Sequence, residues 1–307
     1  MKVWVPSQAA ADVLADLPDV ECTVFDGTTP PPDNADEVEV WIPALVPLRD
    51  LAGMFARMPK LRLVQTVTAG VDAYLPHIPE GVTLCNARGV HDAGTAEWAV
   101  AAMLAVLRDL PYFAAKQREC EWAYRHTDVL ADSTVLIVGY GSIGEALERR
   151  LAGFEVDVIR VARSARQLPD GRKVHGQEEL PQLLPLADVV VLLVPATPDT
   201  AGLVDAGFLA RMRDGAVLVN AARGSVVDTD ALLAELTAGR LRAALDVTAP
   251  EPLPPDHPLW RAPGILITPH VAGSTPASQR RALKLIRSQM LRYLSGEPLR
   301  NVITGSY

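Results

Sequence analysis

Cysteine is scarce in this sequence, and its three cysteines do not pair. Cys22, Cys85 and Cys120 form no CxxC motif and stand at no metal-ligand spacing from a histidine. A disulfide scaffold and a structural zinc site are therefore not expected; free thiols in a reducing compartment are. Long apolar runs are missing too. The longest, residues 98–107, is bounded by Glu97 and Arg108, far short of the roughly 20 residues that span a bilayer. The N-terminal Met1-Lys2-Val3-Trp4-Val5-Pro6 opens directly as a strand and has no signal-peptide core. Positive charge is in deficit: 29 Lys and Arg against 37 Asp and Glu give a formal net charge of -8. An acidic chain of this kind points away from nucleic acid and from anionic membrane as partners, while leaving room for a local basic pocket. No low-complexity segment and no repeat of solenoid length occurs. A cytoplasmic globular protein is the expectation.

What remains is ample core material. The chain has 307 residues, 49% of them hydrophobic, enough for two packed domains. Short apolar runs at 2–5, 22–25, 38–42, 62–67 and 83–86, then at 134–138, 156–161, 188–194, 216–220, 242–247 and 264–268, alternate with helical patterns. Continuous runs such as Val189-Val190-Val191-Leu192-Leu193-Val194 mark parallel strands buried on both faces. The fold class expected is α/β, with two doubly wound parallel-sheet domains. A helix starting near Ala93 crosses from the first domain to the second. A last helix, from about Pro276 to Leu294, could pack back on the first.

The strand 135–138 runs into Gly139-Tyr140-Gly141-Ser142-Ile143-Gly144, and a helical pattern follows. A bare GxGxxG is weak evidence, but strand before and helix after are the context a dinucleotide site requires. Gly139 permits the tight turn, Gly141 lets backbone approach a pyrophosphate, and Gly144 allows close helix–strand packing over the positive helix N-terminus. The next strand ends in Arg160-Val161-Ala162-Arg163-Ser164-Ala165-Arg166, with no carboxylate at or just past its end. NAD binders usually place an acid there for the ribose 2′-hydroxyl. Arg160, Arg163, Ser164 and Arg166 instead suit a 2′-phosphate, so NADP is the preferred cofactor and NAD the alternative.

Three later strands end in complementary groups: Arg223 after Asn220-Ala221-Ala222, Glu251 in the run from Asp246 to Pro252, and His270 after Thr268-Pro269. The carboxyl ends of strands line the ligand crevice of an open α/β sheet. A guanidinium grips a carboxylate and a carbonyl, a histidine delivers a proton near neutral pH, and an acidic neighbour favours the protonated ring and orients it. Singly, a capping arginine, a solvated acid and a buried histidine each have an ordinary structural explanation. Jointly they suggest a catalytic set.

Taken with Thr68-Ala69-Gly70-Val71-Asp72, Ala96-Glu97-Trp98 and Ala196-Thr197-Pro198-Asp199-Thr200, these motifs span nearly the whole chain. The chain resembles the D-isomer-specific 2-hydroxyacid dehydrogenases. The resemblance implies a flavodoxin-like substrate domain, residues 1–93 completed by 275–307, and a Rossmann cofactor domain, 94–274. It implies catalytic Arg223, Glu251 and His270, with the Ala69, Gly70 and Val71 amides and Arg223 on the substrate carboxylate. Ser142, Ile143, Thr197, Ala221, Arg223, Asp246, His270 and Gly273 fall at cofactor-contacting positions. A homodimer joined through the cofactor domain, where the 98–107 helix lies, is implied as well. Two departures stand out: the missing acid after the second cofactor-domain strand, and a short N-terminal region that frames the substrate cleft differently.

Glu251 speaks against the formate dehydrogenase branch, which usually has glutamine there, and Thr68-Ala69-Gly70 lacks the lysine usual in phosphite dehydrogenases. The basic turn and Glu251-Pro252-Leu253-Pro254 look most like glyoxylate/hydroxypyruvate reductases, so a small 2-oxo or D-2-hydroxy acid is the expected substrate. The other class open is a cofactor-sensing corepressor of the same fold; such proteins carry disordered extensions, and none is seen here.

Overall fold

The computed structural model describes residues 1–45 and 50–304; residues 305–307 of the expected C-terminal segment lie outside it. The chain divides into two compact units, Met1–His91 with the segment from Thr275 onward, and Asp92–Ser274.

The first unit carries β1 (Lys2–Val5), α1 (Gln8–Asp12), β2 (Glu21–Val24), β3 (Val38–Trp41), α2 (Leu51–Ala56), β4 (Leu63–Gln65) and β5 (Thr83–Cys85). The strands are parallel and ordered β2-β1-β3-β4-β5, the flavodoxin-like arrangement. Strand alternation decides the two faces. Trp4, Trp41, Val64 and Leu84 join Leu51, Met54 and Phe55 of α2 in one core, while Val3, Val5, Val40, Leu63 and Cys85 form another.

The second unit carries α3 (Asp92–Leu107), α4 (Leu110–Arg118), β6 (Thr134–Val138), α5 (Ser142–Leu151), β7 (Asp157–Ala162), β8 (Arg166–Gln167), β9 (Lys173–Gly176), α6 (Leu180–Leu183), β10 (Val189–Leu192), α7 (Ala206–Arg211), β11 (Val217–Asn220), α8 (Thr229–Thr237), β12 (Arg242–Leu245) and β13 (Ile265–Ile267). Their order is β13-β12-β11-β10-β6-β7-β9-β8, parallel except for β8 on β9. Leu136, Val138, Val190, Leu192 and Leu218 enter one core, and Val135, Ile137, Val189, Val191 and Val217 the other. Both faces are thus buried, as continuous aliphatic strands demand. The winding reverses between β6 and β10, and such a switch point opens a crevice at the strand ends.

The segment after the second unit forms α9 (Pro276–Ser295), capped by Thr275, whose side chain accepts from the Ser278 amide. Its Ile286 and Met290 complete the second core of the first unit. Past Gly296 the chain returns to β5, where the Ile303 amide donates to Leu84 O at 2.9 Å and Val302 bridges Cys85. The β8–β9 hairpin has no counterpart among the expected strands. Arg166 and Gln167 are both exposed, so no apolar alternation marks them.

Candidate active site

The switch point is built around Gly139, at a φ of +104°. A Cβ there would lie 2.5 Å from the carbonyl carbon of Leu193 and 2.6 Å from the amide nitrogen of Val194. Only glycine lets the chain leaving β6 pass so close to the chain leaving β10. Gly141 precedes α5, and no atom lies within 4 Å of where its Cβ would be; its open backbone, with Ser142 and Ile143 opening the helix, forms a cradle for an anion. Gly144 packs against Ile137 and Tyr140.

The basic residues near this loop do not act as one group. Arg160 stands inside β7, half-buried, and its guanidinium is held by the Glu148 carboxylate of α5, with Nε donating to Oε2 at 2.9 Å. Arg172 and the Tyr140 hydroxyl reach the same carboxylate. Burial alone would raise the Glu148 carboxyl, but hydrogen bonds from Arg160 and Tyr140 outweigh it and hold the group at about 2. Arg160, expected to read a 2′-phosphate, is thus a partner of Glu148. Arg166 also has another task, since its Nη2 donates to Tyr140 O at 2.7 Å and ties the β8–β9 hairpin to the glycine loop. Arg163 and Ser164 stand exposed at the turn after β7.

At the ends of β10 to β13 the loops are fastened by buried polar side chains. Thr200 Oγ1 donates to Pro195 O and accepts from the Thr197 amide. Asn220, 1% exposed, accepts from the Ala222 amide and donates to Arg223 O, fixing the loop Ala221–Arg223. The next residue, Gly224, packs on the following loop so closely that a Cβ would sit 1.9 Å from Thr248 O. That second loop carries Glu251. Asp246, 2% exposed, turns its carboxylate inward: it accepts from Thr268 Oγ1 at 2.6 Å and from the Val271 and Ala272 amides at 2.9 Å each. These bonds shape the 268–273 loop, where His270 is held at a φ of +54° and donates its amide to Asp246 O. The His270 side chain meets Glu251, with Nδ1 2.7 Å from Oε1. A carboxylate can only accept, so Nδ1 carries the hydrogen and Nε2 is directed away from Glu251. Gly273 closes this loop, half-buried.

In the first unit, the loop after β4 has its carbonyls tied one after another. Thr68 O accepts from Thr66 Oγ1 and the Ala87 amide, Ala69 O from Asn86 Nδ2, and Gly70 O from Thr68 Oγ1, each at 2.8 Å. In a trans peptide the N–H points opposite the carbonyl. The Ala69, Gly70 and Val71 amides are therefore aimed away from those anchors.

Asn220, Asp246, Thr268 and Asn86 do this positioning work, and only the pairing of strand-end polar residues with loop backbone could have signalled it in the sequence. Among the described residues no group of His, Cys, Asp and Glu is arranged to hold a metal, and no single helix is long and apolar enough to cross a membrane.

The pattern defining the NAD binding domain of the D-isomer specific 2-hydroxyacid dehydrogenases matches residues 100–272. A D-3-phosphoglycerate dehydrogenase of Mycobacterium bovis is 36% identical over 254 residues, 80% of this chain but 47% of the relative, so the chain spans about half the length of that enzyme. The glyoxylate reductase/hydroxypyruvate reductase of Mus musculus is 35% identical over 250 residues, 78% of this chain and 76% of the relative. The crystal structure of a D-isomer specific 2-hydroxyacid dehydrogenase from Xanthobacter autotrophicus in complex with NADPH and MES superposes with a TM-score of 0.85 at 32% identity, covering 99% of this chain and 97% of that one. The glycine cradle at the switch point, the His270–Glu251 pair and these likenesses agree, and the chain belongs to the D-isomer specific 2-hydroxyacid dehydrogenase family.

Proposed function

We propose that this protein is an NAD(P)H-dependent reductase converting a small 2-oxo acid, of the glyoxylate or hydroxypyruvate kind, to the D-2-hydroxy acid. The observation that carries the reading is the 2.7 Å His270–Glu251 contact at the strand ends of a sheet with a dinucleotide cradle. Glu251 fixes the ring through Nδ1, which leaves Nε2 to pass a proton to the developing alkoxide. In the second unit Arg223 grips the carboxylate and carbonyl of the substrate; in the first unit the amides of Ala69, Gly70 and Val71 are the groups the family resemblance assigns to a substrate carboxylate.

The residues fit a nicotinamide dinucleotide: Gly139 makes the tight turn against the Leu193–Val194 backbone that a Cβ would block, and Gly141 presents bare backbone. Gly139, Gly141, Ser142, Ile143 and Gly144 would hold the pyrophosphate, with Thr197, Ala221 and Gly273 along the same sheet edge; the nicotinamide, when bound, supplies the hydride. Arg163 and Ser164, exposed with no acid at the strand end, support NADP over NAD, and the Xanthobacter relative holds NADPH. The free thiols suit a reducing cytoplasm. A second copy of this chain is the partner we infer. It would meet α3, where Ala101 is exposed and Trp98 and Leu104 half-exposed, and the 119–129 arm, where Trp122 is 97% exposed.

Turnover of glyoxylate, hydroxypyruvate, pyruvate and phenylpyruvate with NADPH and with NADH tests the reading. Reduction of the small acids is expected, with the higher kcat/KM for NADPH. His270→Ala should lose reduction by about a hundredfold or more while still binding NADPH, read as a change in NADPH fluorescence on titration. Absence of turnover with tight cofactor binding, or an active His270→Ala protein, would overturn it.

A further inference from the structure

A chain of buried amides joins the C-terminal segment to the loop assigned to the substrate carboxylate. Gln65 ends β4 and Gln289 lies in α9; each is 1% exposed. Gln289 Nε2 donates to Gln65 Oε1 at 2.8 Å and to Arg300 O at 2.9 Å, and its Oε1 accepts from the Arg300 amide at 2.9 Å. Gln65 Nε2 donates in turn to Thr66 O and Asn86 O. Every donor and acceptor of both amides is thus engaged, so neither side chain can turn without leaving a buried polar group unpaired.

One residue past Arg300, Asn301 reaches the same place from the other side. Its φ is +56°, and Nδ2 donates to Asn86 O at 3.3 Å and Arg88 O at 3.0 Å, while Asn301 O accepts from the Asn86 amide at 3.1 Å. Asn86 is therefore held at its backbone by Asn301 and Gln65. Its side chain accepts from the Arg88 amide at 3.0 Å and spends Nδ2 on Ala69 O at 2.8 Å. That last bond sets the direction of the Gly70 N–H.

We propose that Asn301 and Gln289, remote in sequence from the glycine loop and the His270–Glu251 pair, are positioning residues for substrate binding: the C-terminal segment 300–303 straps Asn86 in place, and Asn86 aims the Ala69–Gly70 peptide at the substrate carboxylate. This rests on the assignment of Ala69, Gly70 and Val71 to that carboxylate. The segment also covers the β5 edge, but a cover alone would not specify which way a peptide in a different loop faces.

Asn301→Gly tests the strap, because glycine takes the same positive φ without strain and only the side-chain bonds are lost. KM for glyoxylate should rise about fivefold, the effect of roughly one hydrogen bond, with kcat and the NADPH dissociation constant unchanged and Tm moved by no more than a few degrees. Asn86→Ala, which removes the bond to Ala69 itself, should raise KM by at least as much. If Asn86→Ala raises KM and Asn301→Gly does not, the strap is refuted and the carboxylate assignment stands. If neither moves KM, the assignment of the loop fails. An Asn301→Gly protein that loses kcat, cofactor binding and Tm together shows a scaffold role only and overturns the proposal. Should that protein not fold, Gln289→Glu in the same assay replaces it. The glutamate has no hydrogen for Gln65 Oε1 or Arg300 O once ionised, so the ratio of its KM to the wild-type KM should rise with pH; a ratio that stays constant with pH would refute the strap.

Discussion

Glu148 shows how one carboxylate can redirect a reading of charge. Four arginines stand near the end of β7, yet Arg160 and Arg172 are bound to Glu148. The ion-pair cluster braces α5 against the sheet beside the glycine loop. Its pH behaviour follows from the carboxyl group being held at about 2. A depressed carboxyl adds stability that is complete above its unfolded pKa of about 4.3 and is lost as pH falls through the folded value. Glu148→Gln should therefore cost roughly 1–3 kcal/mol at pH 7, and the deficit should close between about pH 4 and pH 2. Urea midpoints of both proteins at pH 7, 4 and 2.5 check this; a constant gap would mean that the carboxylate charge is not what the cluster uses. The role of Arg160 was not legible because its partner lies on a facing helix at a separation of 12 residues, which no strand or helix period pairs.

Among the elements, the strands and their loops carry the site. The strand runs and the glycine loop were legible because each is local, a matter of period and of one backbone turn. Arg223, Glu251 and His270 were legible as strand ends. What sequence could not show is the fastening between loops. Gly224 reads as an ordinary turn glycine, yet its α-carbon abuts Thr248 O in the loop that holds Glu251. Gly224→Ala should force the two loops apart at a cost of roughly 3 kcal/mol or more, since a backbone atom is what the new methyl meets. Thermal melting and kcat/KM should both fall; a variant with native melting would show that the Thr248 loop yields freely. Likewise Asp246 was expected at a cofactor-contacting position, and only the three donors gathered on its carboxylate reveal it as the former of the His270 loop.

At the scale of the molecule, the two sheets have different winding orders; two doubly wound sheets were expected from alternating strands and helices, while the flavodoxin-like and Rossmann arrangements came only with the family resemblance. The helix α3 is apolar nearly all round, with Ala96, Ala99, Ala102, Met103 and Val106 in the core and Ala101 outside it. A helix of that kind is normally covered on every side. Ala101→Arg should therefore convert a dimer to monomers in sedimentation velocity while leaving far-UV circular dichroism intact; a wild type that sediments as a monomer would remove the basis for the second copy.

The first unit is assembled from both ends of the chain, with Ile286 and Met290 of α9 closing a core begun by Val3 and Val5. The second unit is a single uninterrupted stretch. During synthesis, which runs from the N-terminus, residues 92–274 emerge complete and can fold while α9 is still within the ribosome. The first unit meanwhile waits with one face of its sheet bare, and the loop to be closed before α9 can dock grows by the whole length of the other unit. Folding of that unit shortens the wait, because a compact insert holds the two halves nearer than an open chain of equal length would. The order of birth along the messenger thus makes the inserted unit the chaperone of the interrupted one.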